Sequence, residues 1–353
     1  MNDGNPPKPL LATTVNRRQL LKTLGMAGSV LALNGPCALA EAMSPSKKVV
    51  SAATGDVPRR PLGKTGVEVS ALCMGGAHWG RIEDDHEAIR LLHEAIDAGV
   101  TFLDNAWEYN QGRSEVLMGR ALRGRRQEVF LMTKVCSHGR DKQVAMQQLE
   151  ESLRRLKTDY LDLWQIHEVI YEDDPARHLA PGGAAEALLE AKQQGKVRFI
   201  GFTGHKHPAI HLKMLSHDFP FDTCQMPLNV FDGTYRSFEL DVLPVVTQRG
   251  IAPLGMKSLS GNADPIKQQV VTPQEALRYV LSLPVAAVVS GMDSPKVLKQ
   301  NLDVVRRFQP MTAVEMETLR TRLSSYAKEG RFELFKSSNY YDGRIGRELH
   351  GLS

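Results

Sequence analysis

The chain has 353 residues, 42% of them hydrophobic and 24% charged, enough apolar side chains for one large domain or two smaller ones. Its formal net charge is +4, but residues 1–40 carry +3 of this through Lys8, Arg17, Arg18 and Lys22 against Asp3, so the remainder is nearly neutral and no nucleic-acid footprint is expected. Of four cysteines, Cys37 falls near the N-terminus, and Cys73, Cys136 and Cys224 lie in or beside apolar runs without the spacing of a disulfide framework or zinc site; they read as buried thiols.

At the N-terminus, Asn16-Arg-Arg-Gln-Leu-Leu-Lys22 precedes a modestly apolar run, Thr23–Leu33. Asn34-Gly-Pro36 breaks that run, and Ala38-Leu39-Ala40 offers an A-x-A cleavage pattern. The three parts, in this order, resemble a twin-arginine export signal. The run is well short of the roughly 20 residues that span a bilayer, so no stable membrane anchor is expected. Residues 1–40 are thus expected to be a signal peptide, 41–57 a flexible leader and 58–353 the folded domain. The mature protein would be periplasmic or otherwise exported, with the twin-arginine machinery as its partner.

Gly63-Lys64-Thr65 is not a P-loop, because Pro58 stands where the first glycine is needed and Val67-Glu-Val69 alternates like a strand. The stretch is expected to be a β-hairpin. Strands are then predicted at 71–74, 102–104, 129–133, 160–166, 197–202, 222–225, 251–254 and 285–289. Helical patterns separate them: one capped by Asp84 or Asp85 and closed by Gly99, then 114–122, 141–156, 183–194, 207–215, a poorly marked one near 235–249, 273–283 and 295–308. Eight strands alternating with helices predict a (β/α)8 barrel, and no G-x-G-x-x-G follows any strand to favour an open doubly wound sheet. The tail, 312–353, holds a helix at 313–326 and then Phe332, Phe335, Tyr340 and Tyr341, too aromatic for a solvated tail; it is expected to fold back over the barrel.

Three predicted strands end in groups suited to proton chemistry: Asp104, Lys134 and His167, each about one βα unit from the next and hence on one barrel face. Tyr109 joins them from a loop. A lysine beside a tyrosine favours the phenolate and is expected to lower its pKa, with Asp104 holding the lysine charged. His167 could hold the oxygen being protonated. Such a set donates a proton to a developing alkoxide and needs a borrowed hydride donor.

These residues carry a resemblance. Leu103-Asp-Asn-Ala-Trp-Glu-Tyr109, Gly112-Arg-Ser-Glu115, Thr133-Lys134, Leu161-Asp-Leu-Trp-Gln-Ile-His167 and Gly195-Lys-Val-Arg-Phe-Ile-Gly201 are similar to the aldo/keto reductase family, over roughly Arg60 to Phe308. The resemblance implies reversible reduction of a small-molecule carbonyl, with Tyr109 as acid, Lys134 and Asp104 tuning it and His167 orienting the carbonyl. It implies NADP(H), with NAD(H) as the alternative, held near the nicotinamide by Thr203, Gly204, Gln225 and Met256. Thr203-Gly204 stands where the family has Ser-Asn, and Met256 where it has an aromatic. Ser294, Lys299, Gln300 and Asn301 would serve the phosphate and adenine end. Trp79 would be a wall of the substrate pocket. His205, His207, His211 and His217 raise a metal-dependent hydrolase as a rival, but acidic partners are not evident and no metal is expected. A cofactor-binding partner subunit and a Schiff-base lyase using Lys134 are the other rivals, the last disfavoured because Asp104 keeps the amine charged.

Overall fold

A computed structural model of the chain describes residues 56–136 and 141–349. The expected signal peptide and nearly all of the leader lie outside these residues.

The expected hairpin forms from β1 (Arg59–Pro61) and β2 (Glu68–Ser70), which pair antiparallel. Eight parallel strands follow: β3 (Leu72–Gly75), β4 (Phe102–Asp104), β5 (Phe130–Cys136), β6 (Leu161–His167), β7 (Val197–Thr203), β8 (Thr223–Pro227), β9 (Ala252–Met256) and β10 (Ala287–Ser290). Each pairs with its successor and β10 closes on β3, so the sheet is a closed (β/α)8 barrel. Two apolar layers hold it. One lies between strands and outer helices, and the other fills the interior with Cys73, Phe102, Met132, Leu163, Leu254 and Val289. Leu62 and Val69 of the hairpin join Phe102, Phe130 and Ala252 at the strand starts, so the hairpin plugs the N-terminal end and leaves the C-terminal end as the mouth.

Several strands run one to three residues past their predicted ends. β5 reaches Cys136 because its ladder to β6 continues through Lys134↔Gln165 and Cys136↔His167. An apolar pattern stops at the last hydrophobic residue, whereas backbone pairing does not. Asp84 caps helix Asp85–Asp97, accepting from His86 N at 2.7 Å, and Asp85 instead pairs with Arg113 at 2.6 Å. The poorly marked helix is two short pieces, Phe238–Asp241 and Leu243–Gln248.

The tail does fold back. After helix Ala313–Ala327, Phe332 packs on Phe231 and the Phe335 ring is fully buried, whereas Tyr340 is 81% exposed. Lys336 pins the segment: its buried ammonium meets Asp232 at 2.7 Å, Glu333 at 2.8 Å and the Tyr235 carbonyl at 2.7 Å. Such a buried cluster fixes position more than it adds net stability. Among the described residues no helix is long and apolar enough to cross a membrane.

Candidate active site

The site is built where β4 ends. Beyond Asp104 the chain keeps following β5, with Asn105 N donating to Met132 O at 2.9 Å and Trp107 N to Lys134 O at 3.1 Å. That path carries Tyr109 over the end of β5. The turn behind it needs Asn110 and Gln111 in the left-handed region (φ +52° and +58°). Strain of this kind persists only where surroundings impose it. They do here: Asn110 Nδ2 donates to Ser114 Oγ at 2.7 Å, and Arg155 from helix Lys142–Leu156 grips the loop. One guanidinium nitrogen of Arg155 reaches Trp107 O at 2.8 Å and Glu115 at 3.2 Å, the other Glu151 at 2.8 Å. Trp107 faces outward to this helix, its Nε1 donating to Glu151 at 2.7 Å.

Lys134, with its side chain fully buried, is the hub. Its ammonium forms a short ion pair with Asp104, donates to Asn105 O at 2.7 Å and to the Tyr109 hydroxyl oxygen at 3.3 Å. Because the ammonium donates to that oxygen, the phenol's own proton is free to point elsewhere. His167 meets the Tyr109 ring edge to face, centroids 5.5 Å apart. Thus the structure brings together Asp104, Tyr109, Lys134 and His167 at the barrel mouth.

The electrostatics differ from the sequence-based expectation. Burial pushes the Tyr109 pKa well above its ordinary value, and Asp104, Glu108 and Glu168 push it further in the same direction. Lys134 does not lower it on balance, because burial and these carboxylates outweigh any pull toward the phenolate. Asp104 itself is raised, since burial outweighs the attraction of Lys134. Tyr109 is therefore protonated at neutral pH, in the form that can give a proton.

Across the mouth, Thr203 and Gln225 are register partners on β7 and β8. Met256 Sδ lies 3.9 Å from Thr203 Oγ1 and 3.6 Å from Gln225 Nε2, and Gln225 Oε1 accepts from Gln165 at 2.8 Å. Gly204 has a steric reason. A Cβ there would collide with the Val169 carbonyl and lie 2.8 Å from His211 Cε1, so an asparagine cannot stand at this position. Thr203, Gln225 and Met256 thus stand together at the mouth, with Gly204 directly after β7. Ser294 caps helix Pro295–Arg306, accepting from Val297 N. Lys299 pairs with Asp303, one turn further on, at 2.7 Å, and Asn301 is buried and donates to Ser290 Oγ at 3.0 Å. Gln300 and Lys299 border an outer cleft with Thr272 and Lys296.

Trp79 is a correction. It is fully buried beneath helix Asp85–Asp97, its Nε1 donating to Ala88 O at 2.8 Å, and cannot line a pocket. Its neighbour His78 faces the mouth region instead, 3.1 Å from Gly261 O. The histidines disperse. His207 caps helix Pro208–Leu215, His211 is buried against Phe202 and Phe238, and His217 is exposed. His205 contacts Asp342 at 3.3 Å and Glu168 at 3.6 Å, and burial depresses its pKa.

Sequence reasoning missed Glu108, Glu168, Lys206, Lys257 and Asp342. The tail brings them in: Lys206 reaches Asp342 at 2.7 Å, Gly343 N donates to Glu168 at 2.8 Å, and Lys257 lies between the Phe335 and Tyr341 rings. Burial pushes the half-buried Lys257 down to about 8. Only Glu108, a carboxylate directly before Tyr109, carried a signal in the sequence.

Fold and site together define a barrel protein with a buried lysine–aspartate pair under a protonated tyrosine at its mouth. The Aldo/keto reductase family model matches residues 71–264, more than half of the chain, and the protein belongs to that family. It is 31% identical over 210 residues to the aldo-keto reductase YhdN of Bacillus subtilis (strain 168), a match spanning 55% of this chain and 60% of that protein. It is 27% identical over 302 residues to L-galactose dehydrogenase of Arabidopsis thaliana, spanning 74% and 91%. Among solved structures, the holo form of aldo-keto reductase AKR11C1 from Bacillus halodurans is similar, with a TM-score of 0.66, 26% identity and coverage of 78% of this chain and 100% of that one. Membership makes the protein an oxidoreductase that uses a nicotinamide cofactor.

Proposed function

We propose that the protein reversibly reduces aldehyde or ketone carbonyls of small molecules to alcohols, using NADP(H) in preference to NAD(H). The observation that carries this reading is the buried Lys134 ammonium shared between Asp104 and the Tyr109 hydroxyl at 3.3 Å. When bound, the reduced nicotinamide supplies a hydride. Thr203, Gly204, Gln225 and Met256 would hold its carboxamide end, and Ser294 with the free amides of its helix the phosphate end. Tyr109 gives its proton to the oxygen as negative charge develops there. That oxygen is far more basic than a phenolate, so a raised phenol pKa still leaves the transfer downhill. Lys134 stabilises the phenolate left behind, and Asp104 keeps Lys134 aimed.

Lys296 is the basic residue nearest to Ser294 in sequence for a 2′-phosphate, which supports NADP(H). The test is oxidation of NADPH and NADH against a panel of aldehydes and ketones. Turnover with a higher kcat/KM for NADPH is expected; a strong NADH preference overturns the cofactor choice, and no turnover overturns the reaction. The twin-arginine pattern at Arg17-Arg18 supports export, with a mature form starting near Glu41. N-terminal sequencing of the exported protein tests this, and an intact Met1 on cytosolic protein alone would refute it.

A further inference from the structure

We propose that the Lys257 ammonium selects carbonyl substrates that carry a carboxylate, holding that group at the barrel mouth while the carbonyl end meets Tyr109 and His167. This names the substrate class and rests on the reduction reading above. Lys257 is a specificity-determining residue and takes no part in the proton or hydride transfer.

Lys257 directly follows Met256, the last residue of β9, whose sulfur contacts Thr203 and Gln225. Its backbone lies in the left-handed region (φ +57°), which a lysine keeps only where the surroundings impose it. The ammonium sits in the angle between two tail rings that cross at 88°, 5.3 Å from the Phe335 centroid and 5.1 Å from that of Tyr341. Among the described residues it makes no hydrogen bond and no ion pair. The acids around it are engaged elsewhere. Glu168 accepts from Gly343 N at 2.8 Å, and Asp342 meets Lys206 at 2.7 Å and His205 at 3.3 Å. The charges that act most strongly on Lys257 are these two acids and the cations Lys206 and Lys134. Lys134 belongs to the catalytic set, and no residue of helix Pro295–Arg306 is among these charges, so the free ammonium faces the catalytic end of the mouth rather than the phosphate end.

An ammonium carries three donors, and an aromatic face attracts its charge without accepting a directed hydrogen bond as an oxygen does. Partly withdrawn from water beneath the tail, the group gains most from an anion that brings acceptor oxygens with it. A carboxylate supplies two, each able to take a charge-assisted hydrogen bond. A neutral substrate of the same shape leaves the donors as they are, so the ammonium discriminates between the two.

Two plainer roles fit the same residue: a pin that holds the tail by its rings, or a contact to the cofactor's pyrophosphate. The 3- and 4-formylbenzoates and their methyl esters separate these, since each pair shares a scaffold and differs in charge, and the isomers set the charge at two distances from the carbonyl. With NADPH, the wild type is expected to show a higher kcat/KM for the acid than for the ester in at least one pair. In Lys257→Met that acid-to-ester ratio should fall roughly 10- to 100-fold, the worth of one charged hydrogen bond, chiefly through KM; Lys257→Arg should keep most of it. A ratio within about threefold of wild type in Lys257→Met overturns the proposal. A raised NADPH Kd then assigns the ammonium to the cofactor, and a lowered Tm with unchanged Kd assigns it to the tail. If Lys257→Met does not fold, the wild type decides, and a preference for the ester in both pairs overturns the proposal. Calorimetric titration of the full chain with terephthalate reads the contact without turnover: binding that weakens in Lys257→Met is expected, and equal binding overturns it. If the wild type reduces none of the aldehydes, the reduction reading fails while the calorimetry still decides the anion contact.

Discussion

Replacing Lys134 by methionine probes the pair on which the site is built. The wild-type ammonium is fully buried and serves Asp104, the Asn105 carbonyl and the Tyr109 hydroxyl. Methionine fills similar volume but leaves all three unpaired. If Asp104 stayed ionised, an uncompensated buried carboxylate would cost about 3–5 kcal/mol. Burial already raises the Asp104 pKa against the pull of Lys134, so without that pull the carboxyl protonates instead. The native state then keeps a proton that the unfolded chain releases above its ordinary carboxylate range near pH ~4. More protons on the native state means stability falls as pH rises, by about 1.4 kcal/mol per pH unit, until the folded carboxyl ionises. Urea unfolding of Lys134→Met, referenced to wild type, should show a small loss at pH 5 that grows by about 2–4 kcal/mol toward pH 8. Adding Asp104→Asn should remove that growth. Equal losses at both pH values, or a double variant with the same pH slope as the single one, would refute the reasoning.

Gly204→Ala forces a Cβ against the Val169 carbonyl and His211, and should destabilise by about 1–3 kcal/mol while weakening cofactor binding; thermal melting and cofactor fluorescence titration check both. His211 is buried, and burial drops its pKa to about 3, below the unfolded value near 6.5. Between those values the unfolded chain binds more protons, so stability is lost as pH falls below about 6.5, amounting to roughly 2 kcal/mol by pH 5. His211→Phe should flatten that part of the stability–pH curve, read by urea midpoints. Arg155→Met releases the carbonyl of Trp107 and the carboxylates of Glu115 and Glu151, so the Tyr109 loop loosens; kcat should fall on the order of 10²-fold with the cofactor KM little changed.

The barrel was legible because its signal is local and repeated: apolar runs ending at Asp104, Lys134 and His167 recur at βα intervals. What placed those three ends together is parallel register, seen in Lys134↔Gln165 and Cys136↔His167, and the register follows once the sheet closes. Tyr109 was legible from its loop position, but not Arg155, which grips that loop from 46 positions further along the chain. Charge balance was misread. The effect of Lys134 on Tyr109 depends on the burial of both and on Asp104, Glu108 and Glu168 together, and no spacing rule encodes this. Trp79 was misread for a simpler reason: Trp79 and His78 are adjacent, and which of them faces the mouth is decided by how the short turn after β3 seats against helix Asp85–Asp97. The tail's aromatics indicated that it packs, but its anchors on Asp232, Lys206 and Glu168 are contacts across more than 100 residues, which sequence periodicity does not report.

The central claim is that the Tyr109 hydroxyl delivers the proton to a carbonyl oxygen. Tyr109→Phe removes that oxygen and keeps the ring that packs on His167. In NADPH oxidation by an aldehyde panel, kcat should fall by on the order of 10²–10⁴-fold with cofactor Kd essentially unchanged; a variant as active as the wild type would contradict the account.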